Sequence, residues 1–265
     1  MTLPIFQVDS FTDRPFAGNP AGVCMLDAPR SDEWMLGVAR EMNLSETAFL
    51  LPEGEGYRLR WFTPEVEVTL CGHATLASAH ILWEQGFLAA GQAAKFLTLS
   101  GPLSAARAAD GWIALDFPAR ITAPLAPPEG LLDALGIAAT VFTGRYKEDY
   151  LIEVFSEAEV RALQPDYTRL RQVETRGVVV TARADDERYD FVSRFFAPAV
   201  GVDEDPVTGS AHCALTPYWS MKLGKASLLA YQASARGGVV RVRPEGERVI
   251  LEGQAVTIFK AALLV

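Results

Sequence analysis

The sequence predicts an α+β fold built twice, and three observations carry that prediction. Arg60-Trp61-Phe62-Thr63-Pro64-Glu65-Val66-Glu67-Val68 returns later as Arg194-Phe195-Phe196-Ala197-Pro198-Ala199-Val200-Gly201-Val202. Each copy leads shortly into a Gly-X-Ala step, Gly72-His73-Ala74 and Gly209-Ser210-Ala211, and then into a helix-like apolar stretch. Strand patterns outnumber helical ones without regular β/α alternation, which points to α+β.

In chain order, alternation over 5–11 reads as an opening strand, and Asp13-Arg14-Pro15-Phe16-Ala17-Gly18-Asn19-Pro20 punctuates it before a second strand over 22–26. Ser31 is a good N-cap for an amphipathic helix over 32–42. Asn43-Leu44-Ser45-Glu46 closes that helix and leads into a strand over 47–51. A strand over 57–62 precedes the first Gly-X-Ala step and a helix over 72–85, with Gly86 as its stop. Strands over 95–99 and 112–117 follow. The second half reads as a short helix over 130–135, strands over 140–143 and 150–155, a helix over 156–163, and strands over 177–182 and 189–196. A helix over 209–223 and a strand meander over 227–260 complete it.

Prolines at 118, 124, 127 and 128 mark the best linker. The expected domains are 1–117 and 118–265, with the last strand a candidate to return to the first domain.

The chain has 265 residues, of which 49% are hydrophobic and 22% charged, so it can bury a substantial core. The net charge of −9, without a Lys/Arg cluster, argues against nucleic acid as a partner. It leaves room for a small anion held by backbone N–H groups, with Arg60 or Arg194 as candidate helpers. Met1-Thr2-Leu3-Pro4 lacks a basic leader, and no apolar run approaches the ~20 residues of a membrane span. A cytoplasmic address without membrane contact is therefore expected. Three widely spaced cysteines, Cys24, Cys71 and Cys213, suit reduced thiols better than a disulfide framework.

The two Gly-X-Ala steps are the best candidates for chemistry. A helix N-terminus offers unpaired N–H groups and the positive end of the macrodipole, and glycine lets a ligand approach the backbone. Two such ends facing one cleft would grip a small carboxylate. Cys71-Gly72-His73 and Thr208-Gly209-Ser210 hold equivalent places, and Asp205 sits in what reads as a three-residue insertion of the second copy. Glu46, among Leu44, Ala48, Phe49 and Leu50, is the candidate general acid or base. Plainer roles stay open for each: a solvated glutamate, a helix-start histidine, N-caps at Thr208 and Ser210, and a turn former at Asp205. Cys71, His73, His212 and Cys213 lack zinc-site spacing, so no metal is expected. No dinucleotide fingerprint, Walker loop or nucleophile elbow is present. His80, His212, Cys24 and Cys213 read as packing or surface residues.

Several segments together resemble the phenazine-biosynthesis PhzF-like family, within the diaminopimelate epimerase-like fold group. They are VDSFTDRPFAGNPAGV, NLSETAFL, RWFTPEVEV followed by CGHATLASAH, and RFFAPAVGVDEDPVTGSAH. The resemblance implies two similar domains, each a curved, mostly antiparallel sheet wrapped around a central helix, with the active site between them. It implies no metal or organic cofactor, and a homodimer.

By position, Glu46, His73, Asp205 and Ser210 match the family's catalytic set, and Gly72-His73 and Gly209-Ser210 its carboxylate-binding turns. Asn19, Cys71 and Thr208 join these as substrate-binding candidates. The implied activity is a cofactor-independent isomerisation in which a glutamate moves a proton within a small unsaturated or amino-acid-like carboxylic acid. Amino-acid epimerisation or racemisation is the enzymatic alternative, and a non-catalytic metabolite-binding or interaction role the third. Cys71 stands where related epimerases place one of two catalytic cysteines, but Thr208 occupies the opposite position, so the shuttle is placed on Glu46.

Overall fold

The computed structural model describes residues 2–264 and separates two compact units, Met1–Asp116 with Glu252–Val265, and Phe117–Leu251. The first opens with β1 (Leu3–Ser10) and β2 (Asn19–Met25), antiparallel neighbours with Ile5 opposite Cys24. Gly18, at φ +65°, turns the chain between them, and a Cβ there would lie 2.1 Å from the Ser10 carbonyl oxygen. Only glycine fits that approach. In α1 (Asp32–Met42), Ser31 Oγ accepts from the Trp34 N–H at 3.2 Å as its spacing predicts, and Asn43 closes the helix in the left-handed region.

β3 (Glu46–Glu53) runs parallel to β2, β4 (Gly56–Phe62) antiparallel to β3, and β5 (Glu67–Val68) folds back on β4. After α2 (Gly72–Glu84), β6 (Ala94–Thr98) lies parallel to β4, and β7 (Gly101–Arg107) and β8 (Ile113–Pro118) continue antiparallel.

The second unit repeats the plan. It holds β9 (Ala123–Pro124), α3 (Leu131–Leu135), β10 (Phe142–Tyr146), β11 (Asp149–Glu153), α4 (Glu157–Ala162) and α5 (Tyr167–Leu170). β12 (Gly177–Arg183), β13 (Phe191–Ala197), β14 (Val202–Asp205), α6 (Gly209–Leu223), β15 (Leu228–Gln232), β16 (Gly238–Glu245) and β17 (Arg248–Gly253) follow. The pairings match one for one. β11 is parallel to β12 as β2 is to β3, and β13 is parallel to β15 as β4 is to β6; β12–β13, β13–β14 and β15–β16 are antiparallel. β18 (Ala255–Leu263) pairs antiparallel with β1, so Glu252–Val265 belongs with the first unit, the return of the last strand that the sequence left open.

The architecture is α+β, and each unit is centred on one helix. Every residue of α2 from His73 to Trp83 is buried, as are most of α6 from Gly209 to Trp219. A helix apolar on all sides belongs inside a domain. Three buried hydroxyls of these helices turn back on the helix backbone: Thr75 donates to Cys71 O, Ser78 to Ala74 O and Thr216 to His212 O. Pro217 lies within α6 and has no N–H, so it cannot serve the carbonyl four residues earlier. That carbonyl, Cys213 O, accepts instead from Arg120 N at 2.9 Å. This ties the segment after β8 to the central helix of the second unit. Among the described residues, no helix is long and apolar enough to cross a membrane.

Sequence pattern missed β7 and the short strands β5, β9 and β14. The two-residue strands give too little periodicity to read, and β7 begins at glycine and proline, which read as turn residues.

Candidate active site

The first unit gathers Glu46, His73, Cys71 and Asn19. Glu46 opens β3, held by the parallel pairing of Ala21 with Glu46. Asn19 opens the adjacent strand β2, while Cys71 is the N-cap of α2 and His73 lies in its first turn. Glu46 Oε2 lies 3.3 Å from His73 Nε2. The distance is short, but the alignment falls outside hydrogen-bond geometry, and Nε2 is buried without a hydrogen-bond partner. On the opposite edge of the ring, Asn19 Nδ2 is 3.3 Å and Cys71 Sγ 3.5 Å from Nδ1. Ser10 Oγ donates to His73 O at 2.8 Å and fixes the backbone. Burial pushes the His73 imidazole down to about 3, so the ring is neutral near pH 7 and the contact with Glu46 is not an ion pair.

Glu46, Cys71 and His73 offer donor atoms within 4.8 Å of one another. The thiol and the carboxylate approach different ring nitrogens, however, and a single ion takes only one imidazole lone pair. The arrangement fits proton handling better than metal ligation.

The second unit gathers Asp205, Thr208 and Gln232. Thr208 is the N-cap of α6, yet its hydroxyl makes no cap bond and donates instead to Asp205 Oδ2 at 2.6 Å. Ser210 is exposed within the first turn of the helix, so it is not the cap. The sequence reading of both as ordinary caps is thereby corrected. Cys71 likewise makes no side-chain cap bond on α2, so neither helix start is closed by its own N-cap side chain.

The Asp205 placement also needs correcting. Trp61 pairs with Val68, and the equivalent Phe195 pairs with Asp205. Asp205 is thus the register counterpart of Val68, and the three extra residues fall in the turn over 197–203, which holds the 3-10 segment Pro198–Val200. An aspartate stands in the second copy where the first has valine.

Arg60 and Arg194 are not available to a substrate carboxylate. Arg60 grips both oxygens of Glu67 and reaches Asp32. Arg194 grips both oxygens of Glu204 and donates to the carbonyls of Val160 and Leu163. The same Arg–Glu clamp holds β4 to β5 and β13 to β14, so these arginines brace the segments that lead into α2 and α6.

Sequence reasoning missed Gln232, which fell within the strand meander read over 227–260. Gln232 is 1% exposed; its Oε1 accepts from Thr208 N at 2.8 Å, and its Nε2 donates to Asp205 O at 2.7 Å and Thr208 Oγ1 at 3.2 Å. Ser234 Oγ donates to Pro206 O at 2.9 Å. The loop entering α6 is therefore held in place by the last residue of β15 and the turn that follows it. His212, assigned above only to packing or surface, is buried and donates through Nδ1 to Thr208 O at 2.8 Å, as Thr75 does to Cys71 O at 2.5 Å. Both N-cap carbonyls are thus fixed from the residue four positions on. Burial holds His212 at about 4 despite that bond. Cys24 and Cys213 are buried free thiols, pushed up to about 12 by burial and so inert as nucleophiles.

Comparison with solved structures and sequences fits this architecture. A PhzF-family phenazine biosynthesis protein from Enterococcus faecalis superimposes with a TM-score of 0.94 at 38% identity, over 100% of both chains. A predicted epimerase from Pseudomonas aeruginosa shares the fold with a TM-score of 0.79 at 21% identity, over 99% of both chains. An uncharacterized isomerase of Halalkalibacterium halodurans is 54% identical over 100% of this chain and 99% of its own length. Together they define an isomerase-type enzyme on the diaminopimelate epimerase-like fold. The sequence profile described as phenazine biosynthesis-like protein matches residues 8–261, and the chain belongs to that family.

Proposed function

We propose that this enzyme isomerises a small unsaturated or amino-acid-like carboxylic acid by moving a proton between its carbons, with Glu46 as the acid–base group. The observation that carries the reading is Glu46 Oε2 at 3.3 Å from the buried Nε2 of a neutral histidine, beside a helix start left open by its own N-cap. A carboxylate that takes a proton from carbon gains from a neighbouring donor that stabilises negative charge nearby. Gly72-His73 and Gly209-Ser210 are proposed to bind the substrate carboxylate, with Asn19, Cys71 and Thr208 as further binding residues. Asp205 and Ser210 are proposed as the further members of the catalytic set. No metal or organic cofactor enters this scheme.

Epimerisation is the less favoured reading, because Cys71 has Thr208 as its repeat counterpart and a two-thiol exchange needs a second sulfur. A cytoplasmic setting suits three reduced, buried thiols. A homodimer is part of the same proposal, checked by light scattering on the purified chain.

The test is a panel of small carboxylic acids screened by thermal shift, with each stabilising acid then followed by proton NMR in deuterium oxide. The wild type should move a hydrogen within one of them. Glu46→Gln should still bind it but lose about 10² to 10⁴ in rate. A Glu46→Gln variant as fast as wild type would remove Glu46 from the chemistry.

A further inference from the structure

The contacts around His73 assign its proton, and that assignment deepens the reading above, on which its catalytic meaning rests. Asn19 Nδ2 lies 3.3 Å from Nδ1. In this orientation the Asn19 amide turns its NH₂ to the ring, and an NH₂ donates and does not accept, so Nδ1 is the bare, accepting nitrogen. In a neutral ring the single proton then sits on Nε2, on the edge that faces Glu46. The ring is deeply buried, which favours its uncharged form. Cys71 Sγ, 3.5 Å from Nδ1, agrees with this arrangement as a thiol, a weak donor to the same lone pair. As a thiolate it would require a proton on Nδ1 and reverse the ring. Nε2 is buried without a hydrogen-bond partner, so its N–H is a donor held ready beside the carboxylate. Catalytic hydrogen bonds in ligand-free sites are often misaligned and tighten when substrate binds. His212 shows the opposite choice: its Nδ1 donates to the Thr208 carbonyl, which leaves its Nε2 bare.

We propose that Asn19 is a positioning residue that locks His73 as the Nε2–H tautomer, so that His73 acts as a neutral hydrogen-bond donor to the reacting anion and not as a proton carrier. The proton ledger is then simple. The proton leaving a substrate carbon goes to a Glu46 oxygen and returns from it to another carbon, while the Nε2 proton stays on the ring throughout. Cys71 stays a thiol and takes no part in transfer.

The test reads the tautomer directly and needs no substrate. The full chain, labelled with [¹⁵N]histidine, has three histidines, His73, His80 and His212, so long-range proton–nitrogen NMR spectra are simple. His73 is identified by the loss of its signals in His73→Gln or, should that variant fail to fold, by through-bond correlation to the assigned backbone. His73 should show a protonated Nε2 and a bare Nδ1, unchanged from about pH 5 to about 8. Asn19→Asp, whose carboxylate only accepts, should put a proton on Nδ1, and Cys71→Ser should leave the wild-type pattern intact.

A wild-type Nδ1–H or a doubly protonated ring overturns the proposal without any variant. So does an Asn19→Asp ring that keeps Nδ1 bare, or a Cys71→Ser ring that changes tautomer. On the acid found by the screen above, Asn19→Asp should lower kcat by up to about 10⁴, the scale of a wrong tautomer elsewhere. Failure of the tautomer measurement leaves Glu46 catalysis standing, and failure of Glu46→Gln leaves the tautomer standing, so the two ideas fall separately.

Discussion

Gln232→Glu exchanges one NH₂ for an oxygen in a buried side chain and changes almost nothing in size. The Thr208 N–H keeps an acceptor at the position now 2.8 Å away, but Asp205 O loses its donor at 2.7 Å and meets an oxygen instead. Thr208 Oγ1 loses its 3.2 Å donor while still donating to Asp205 Oδ2. A buried acceptor stripped of its donor costs about 1–3 kcal/mol. A second carboxylate introduced close to Asp205 adds repulsion, so the expected loss at neutral pH is about 2–4 kcal/mol.

Urea midpoints measure this loss at constant m, and for a chain of this size each kcal/mol corresponds to roughly 2–4 °C in Tm. Acid should narrow the deficit, because a protonated carboxyl regains one donor. Hydrogen exchange at the Thr208 amide separates loop release from global loss, since Gln232→Ala removes its acceptor whereas Gln232→Glu keeps one. A Gln232→Glu protein within about 0.5 kcal/mol of wild type at neutral pH would refute the claim that this side chain holds the loop.

Other substitutions probe the same construction. His73 and His212 are held at about 3 and about 4, below the ~6.5 of an unfolded histidine, so the unfolded chain binds more protons as pH falls below that value. Stability should therefore be full above about pH 6.5 and decline toward pH 4, and the urea midpoint of His212→Gln should fall less steeply over that window. Arg194→Ala should cost about 3 kcal/mol by stranding Glu204, whereas Arg58→Ala, which frees the exposed Glu53, should cost far less; paired urea titrations compare them. An Arg194→Ala protein of wild-type stability would return that arginine to the list of substrate ligands. Gly18→Ala should lower Tm by an amount equivalent to about 2 kcal/mol or more, since it combines a left-handed φ with a clash against Ser10 O; an unchanged melt would show that the turn adapts.

Local physics made much of this protein readable from its residues. The Ser31 cap, the Asn43 stop and the bounds of α6 follow from capping chemistry and helical period, which act within a few residues. The duplicated plan was legible because both copies keep an arginine and two aromatic-rich positions before their glycine turns. Glu46 and His73 stood out as residue types at suggestive places, but the 3.3 Å between them depends on β2 pairing with β3 beside the start of α2, a choice among distant partners that no local pattern encodes.

The same holds for Arg60 and Arg194, taken up by glutamates across a strand pair, and for Gln232, whose partners lie beyond the central helix. The return of β18 to β1 is likewise a pairing between the two ends of the chain. Composition and period determined which segments become strands and helices and which faces they bury. Tertiary structure decided which polar groups met, because a buried donor or acceptor must find its partner wherever packing places one.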